Sequence, residues 1–237
     1  ANIAWAVSST FRRRSVLLDL DLQFGSSALL LDLQVGPGLR EALEEPERID
    51  ELFLDRALVH MTETLSVMAA EEGLDRTMIP EPQGITALMT ALKERTEALV
   101  VDAPRRDPEA LVTVAEACHD LLVVTELTLP GLRDTARLLS LLEDGAPSTR
   151  ALVLANRVPK GAPDVARREF EQELRRPIDV ALPADEKAVA LAANGGVPLA
   201  AVAPKARLSR AIDQLAGKLL DAKPRPVGLM ARLIGRG

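Results

Sequence analysis

The sequence is poor in aromatic side chains: four Phe, one Trp and no Tyr among 237 residues. That scarcity removes the platforms on which single-stranded nucleic-acid binders stack bases, and a net charge of −6 offers no bulk attraction to a polyanion. Cysteine is almost absent. Cys118 stands alone, which excludes an internal disulfide and suits a reducing cytoplasm, and its apolar setting AEACHDLLVV reads as that of an inert core thiol. The only two histidines, His60 and His119, lack metal-ligand spacing and read as structural. No apolar run approaches the roughly 20 residues that span a bilayer. The N-terminal ANIAWAVSSTFRRR carries its basic cluster after its apolar part, the reverse of a secretory signal. There is no Gly-x-Ser-x-Gly nucleophile elbow.

What is present is a regular alternation. Short runs rich in Val and Leu (SVLLDLD, LSVMAAE, EALVVDAP, DLLVVTE, RALVLANR and IDVALP) read as buried strands. Amphipathic stretches at 84–95, 108–118, 129–142, 163–174 and 185–193 lie between them, and residues 1–12 predict a further helix. Strand and helix in alternation imply an α/β fold, a mostly parallel sheet with helices on both faces, whose ligands sit at the carboxyl ends of the strands. Charge is less evenly spread. From Lys205 onward eight basic side chains meet two acidic ones, a surplus of six, so the preceding chain carries −12. The division predicted is a domain over 1–222 and a basic amphipathic tail over 223–237.

Three constellations carry potential chemistry. In SVLLDLDLQFG, Asp19 and Asp21 lie two apart and point the same way at a strand's carboxyl end. An oxygen-rich pair of this kind suits Mg²⁺ held through water and phosphate, or orients an attacking water. The alternative is that both solvate the strand-to-helix turn or cap the helix beginning near Ser26. In ALVVDAPRR, Asp102 ends an apolar strand as a Walker B aspartate does, near Mg²⁺. Arg105 and Arg106 follow, either as a solvated basic pair or as groups answering phosphate. Later, Asn156 and Arg157 follow one strand and Pro183 ends the next, where amide and backbone groups suit the edge of a base or simply shape a turn.

Taken in order, VLLDLDLQFG, LVVDAPRR, VTELTLPGLRDTARLL, LVLANR and LPADEKAVALAANGGVPL resemble the MinD/ParA family of deviant-Walker P-loop ATPases. DLDLQFG, followed by GLREALEEPERIDELFLDRALV, is most similar to the pilus-assembly branch, CpaE/TadZ. The resemblance implies that Asp19 orients water for hydrolysis with Asp21 as its acidic neighbour, that Asp102 and Asp21 approach Mg²⁺, and that Asn156, Arg157 and the Pro183 loop receive adenine. It further implies ATP and Mg²⁺ as cofactors, a homodimer closed by nucleotide, other pilus-assembly proteins as partners, and a cytoplasmic place on the inner membrane or at a pole. A non-hydrolysing scaffold and a ParA-type partition ATPase are the alternatives.

Two further expectations concern the ends. The family's glycine-rich phosphate loop should stand before ANIAWAV, yet the sequence contains no Gly-x-x-x-x-Gly-Lys. The alternatives are a stretch of a longer protein or a member that has lost the site; the expectation is the former, with a sheet that lacks its first strand and leaves two neighbours unpaired. In the tail, Leu229, Met230, Leu233 and Ile234 share one helical face with Arg232 and Arg236 on another, similar to the membrane-surface helix of MinD proteins.

Overall fold

The computed structural model describes residues 1–73, 75, 78–161 and 164–221. Helix α1 (Asn2–Ser9) leads into β1 (Ser15–Asp19), the apolar run that ends on the first aspartate. Short helices α2 (Ser27–Leu30), α3 (Gly38–Glu44) and α4 (Glu51–Ala57) and the two-residue strand β2 (Val59–His60) precede β3 (Leu65–Met68). A strict alternation follows: α5 (Pro82–Arg95), β4 (Ala98–Asp102), α6 (Pro108–Ala117), β5 (Asp120–Thr125), α7 (Leu129–Gly145), β6 (Arg150–Val158), α8 (Asp164–Leu174) and β7 (Val180–Pro183). The described chain closes with α9 (Glu186–Asn194), α10 (Leu199–Val202) and α11 (Arg207–Leu219). Helix starts follow side-chain chemistry: Asp50, Asp107, Thr128 and Asp185 each accept a backbone amide from the first turn of α4, α6, α7 and α9.

The strands form two ladders, β2-β3-β1-β4 and β5-β6-β7. All pairings are parallel except β2 with β3, so the fold is α/β and mostly parallel, as expected. The interruption falls between β4 and β5, each of which keeps one edge without a strand partner among the described residues. Their side chains register it. β4 is apolar up to its last residue yet only half-buried along its length, and Val124 of β5 is 57% exposed.

Helices hold the ladders together from both faces. On one face, Ala6, Val7 and Phe11, on and just past α1, cluster with Ile212 and Leu215 of α11, and against them pack Ala98 of β4, Leu122 of β5 and Leu152 of β6. On the other, α6 gives Ala110 and Val114 to the cluster containing Leu99 and Val101 of β4, and Ala115 to the one containing Val123 of β5. Alternation along β1 divides its side chains accordingly: Leu17 packs toward α1 and α2, Val16 and Leu18 toward α3 and α5. Thr10 donates to Asp213 on α11 at 3.1 Å, and Asn2 accepts the Leu199 amide at 2.9 Å, which pins α1 at both ends.

The remaining sequence expectations resolve as follows. Cys118 is half-buried against the β4 side of the core, and burial raises its thiol pKa. His60 bonds Ser66 across the β2–β3 pair at 2.9 Å. The tail residues Leu229, Met230, Arg232, Leu233, Ile234 and Arg236 lie outside the described residues.

Candidate functional site

Asp19 and Asp102 meet because their strands end in register. In the β1–β4 ladder Asp19 is the partner of Asp102, so the two carboxylates leave adjacent parallel strands at the same level. Asp19 is 1% exposed and fully engaged: its Oδ1 accepts the Asp21 amide at 3.2 Å and its Oδ2 the Ser27 amide in the first turn of α2 at 3.1 Å. Asp21 accepts the Phe24 amide at 3.0 Å, and its own carbonyl accepts the Gly25 amide at 2.7 Å. The turn-and-cap alternative is therefore realised in this conformation. Residue 25 has to be glycine for a steric reason, since a Cβ there would meet the Asp21 carbonyl and stand 2.8 Å from Asp19 Oδ1.

Asp102 differs from its neighbour. It reaches solvent, and among the described residues no donor satisfies its carboxylate. Its pKa is raised, first by burial of the carboxyl group among the strand ends and then by the charge of Asp19, with Asp21 adding to it. Ala1, just before α1, packs against the same cluster around Leu17 as Val100 of β4. The strand ends thus bring together two carboxylates on adjacent strands and a third two residues on. Among the described residues, no three His, Cys, Asp or Glu side chains are gathered closely enough to hold a metal alone. Asp21 and Asp102 are accordingly no all-protein cage. They fit Mg²⁺ only in its usual manner, one or two carboxylates completed by water and phosphate.

The second group forms around β6 and β7. Leu154 and Ala155 pair with Val180 and Ala181, and pairing resumes at Val158 with Pro183, so Asn156 and Arg157 occupy a bulge. Arg157 takes a positive φ of 53° there and turns its guanidinium to Glu126, just past β5, at 3.0 Å. Asn156 stays half-buried beside the Pro183 end of β7. The predicted site residues thus assemble as two clusters, Asp19–Asp21–Asp102 on one ladder and Asn156–Arg157–Pro183 on the other. Each lies at the carboxyl end of its strands, and none of the described hydrogen bonds or ion pairs joins them.

No family model matches the sequence. A full-length likeness does exist. The chain is 25% identical over 226 residues to an uncharacterized ATP-binding protein of Methanocaldococcus jannaschii, covering 94% of this chain and 82% of that one. Among solved structures, a ParA family ATPase from Chlorobium tepidum superposes with a TM-score of 0.81 at 26% identity, covering 91% and 90% of the two chains. The chain has the fold of the ParA/MinD ATPases. MinD of Pyrococcus horikoshii, solved in complex with Mg-ADP, shares the ParA/MinD fold at a TM-score of 0.72 and 18% identity, covering all of this chain and 92% of that one.

On this ParA/MinD fold, several partners of the two clusters leave little mark in the local sequence pattern. The Ser27 amide occupies Asp19, Glu126 holds Arg157, and Arg106 lies over the ring of Phe24 with its guanidinium carbon 4.1 Å from the centroid. The available signal was Phe24 itself, an uncommon residue type placed next to Gly25 in a polar turn. Arg105 conforms to the solvated-pair alternative, standing 3.9 Å from Asp134 on α7 with its side chain 76% exposed.

Proposed function

We propose that the intact protein carrying this sequence is a Mg²⁺- and ATP-dependent ParA/MinD-type ATPase, acting as a CpaE/TadZ-like assembly or localisation factor for a Tad-type pilus. The observation that carries the nucleotide reading is the in-register pair Asp19–Asp102 at adjacent strand ends. Asp102, without a donor and near its neighbours' charge, gains most from a cation. Asp21 is its partner toward Mg²⁺, Asp19 orients the attacking water, and Asn156, Arg157 and the Pro183 end receive the base. ATP bound there would supply the phosphoanhydride whose hydrolysis opens a homodimer. The pilus role is supported by the likeness of DLDLQFG and the segment after it to that branch. Placement on the inner membrane is supported by the spacing of Leu229, Met230, Leu233 and Ile234, and liposome sedimentation tests it: full-length protein should pellet with anionic vesicles and a chain ending at Lys223 should not.

Phosphate release tests the central reading. The intact wild-type protein should hydrolyse Mg²⁺ATP, and Asp19→Ala and Asp102→Ala should each abolish turnover, with circular dichroism confirming that the variants fold. A second reading has its own observation: both Asp19 oxygens already serve backbone amides. A scaffold that never turns over ATP would show wild type as inactive as Asp102→Ala.

A further inference from the structure

The loop after β1 and the loop after β4 touch through a pair of side chains that the nucleotide reading leaves unused. Phe24 is 54% exposed, so its ring is open to a partner from the neighbouring loop. One face of its ring carries the Arg106 guanidinium at 4.1 Å, the planar stacking that arginine favours. Among the described residues no carboxylate pairs with Arg106, so the ring is its partner. Both residues connect to the carboxylate crevice. Phe24 donates its amide to Asp21 Oδ1, and Arg106 stands four positions past Asp102 in the loop whose Arg105 reaches Asp134 on α7.

We propose that Arg106 and Phe24 form a latch that keeps Asp21 engaged in its own turn and thereby restrains it from a ligand in the crevice. The stack holds Phe24 in place, and a fixed Phe24 keeps its amide on Asp21. A cation or Mg²⁺ATP that takes Asp21 through Oδ1 draws that oxygen off the amide, which frees Phe24 and opens the stack. Arg106 and Phe24 are positioning residues in this scheme, acting through Asp21. Opening the latch therefore makes the crevice bind more tightly, whereas ordinary structural damage at the loop would make it bind more weakly.

The inference rests on the nucleotide reading only in its second arm. First, without ligand, amide exchange over residues 20–28 of the full chain should quicken about two- to fivefold in Arg106→Gln and in Phe24→Leu, the range an exposed cation–π contact supports. Arg106→Lys should restore most of the protection. Unchanged exchange in both variants overturns the latch. Second, Mg²⁺ATP is titrated into the intact protein while the emission of Trp5 is followed, since Trp5 packs against the cluster that contains Leu17, Ala28 and Leu31. Each variant should lower the apparent Kd about two- to fivefold, and the double variant no further than either single one. Weaker or additive binding overturns the latch. An intact wild-type protein that binds no Mg²⁺ATP defeats the nucleotide reading instead, and the exchange arm then decides the latch alone.

Discussion

At the end of β4, Asp102 is the carboxylate on which burial and neighbouring charge act in the same direction, and its raised pKa fixes a sign. Between the ordinary carboxylate pKa and the raised one, the folded chain keeps a proton that the unfolded chain has released. Stability therefore falls as pH rises through that window and stays at the lower level above it. Asp102→Asn removes the liability. The variant should exceed wild type in urea midpoint at pH 7 and lose that advantage below a pH of about 4, where the aspartate is protonated in both states. An equal midpoint at pH 7 would show that the charge carries no such cost. The same residues mark how far single positions are legible. The two-residue spacing of Asp19 and Asp21 and the apolar run before Asp102 announce strand ends in the sequence. That Asp19 is occupied by the Ser27 amide, and that Phe24 meets Arg106, depends on loop geometry that no local pattern encodes.

Elements were readable in proportion to their length and periodicity. All six apolar runs form strands, and the helices over 84–95, 108–118, 129–142, 163–174 and 185–193 appear within a few residues of those bounds. Helices α3 and α4 and the two-residue β2 are too short to leave a period, and α11, although strongly amphipathic, was read for its charge alone. Packing between elements was not legible, and Gly84 shows why. It lies inside α5, where alanine would by propensity add about 1 kcal/mol. In the fold a Cβ at that position would stand 2.5 Å from the Leu43 carbonyl oxygen at the end of α3, a rigid backbone atom. Gly84→Ala should therefore destabilise, with overpacking of about 1–3 kcal/mol exceeding the propensity gain. A lower urea midpoint is the expected result, and a higher one would mean that α3 shifts freely away from α5.

For the whole molecule, the informative feature is the packing of helices across both ladders. Among the described residues the β1 and β5 ladders share no hydrogen bond between strands, and α1, α11 and α6 pack against both. Phe11 sits in that packing at 1% exposure, in one cluster with Leu154, Leu182, Leu208 and Ile212, against which Ala98 of β4 and Leu122 of β5 also lie. Phe170 is an equally buried phenylalanine, but its cluster gathers around β5, β6 and the helices beside them. Truncating either to alanine should cost about 3–5 kcal/mol. Only Phe11→Ala should also uncouple the two ladders. Trp5 reports the β1 side, where it packs around Leu17, while far-ultraviolet circular dichroism reports helices on both sides. In wild type and Phe170→Ala the urea transitions by the two probes should coincide, as for one cooperative unit. In Phe11→Ala they should separate. Coincident transitions there would place the cohesion in α6 on the opposite face, whose Ala110, Val114 and Ala115 pack against the two ladders.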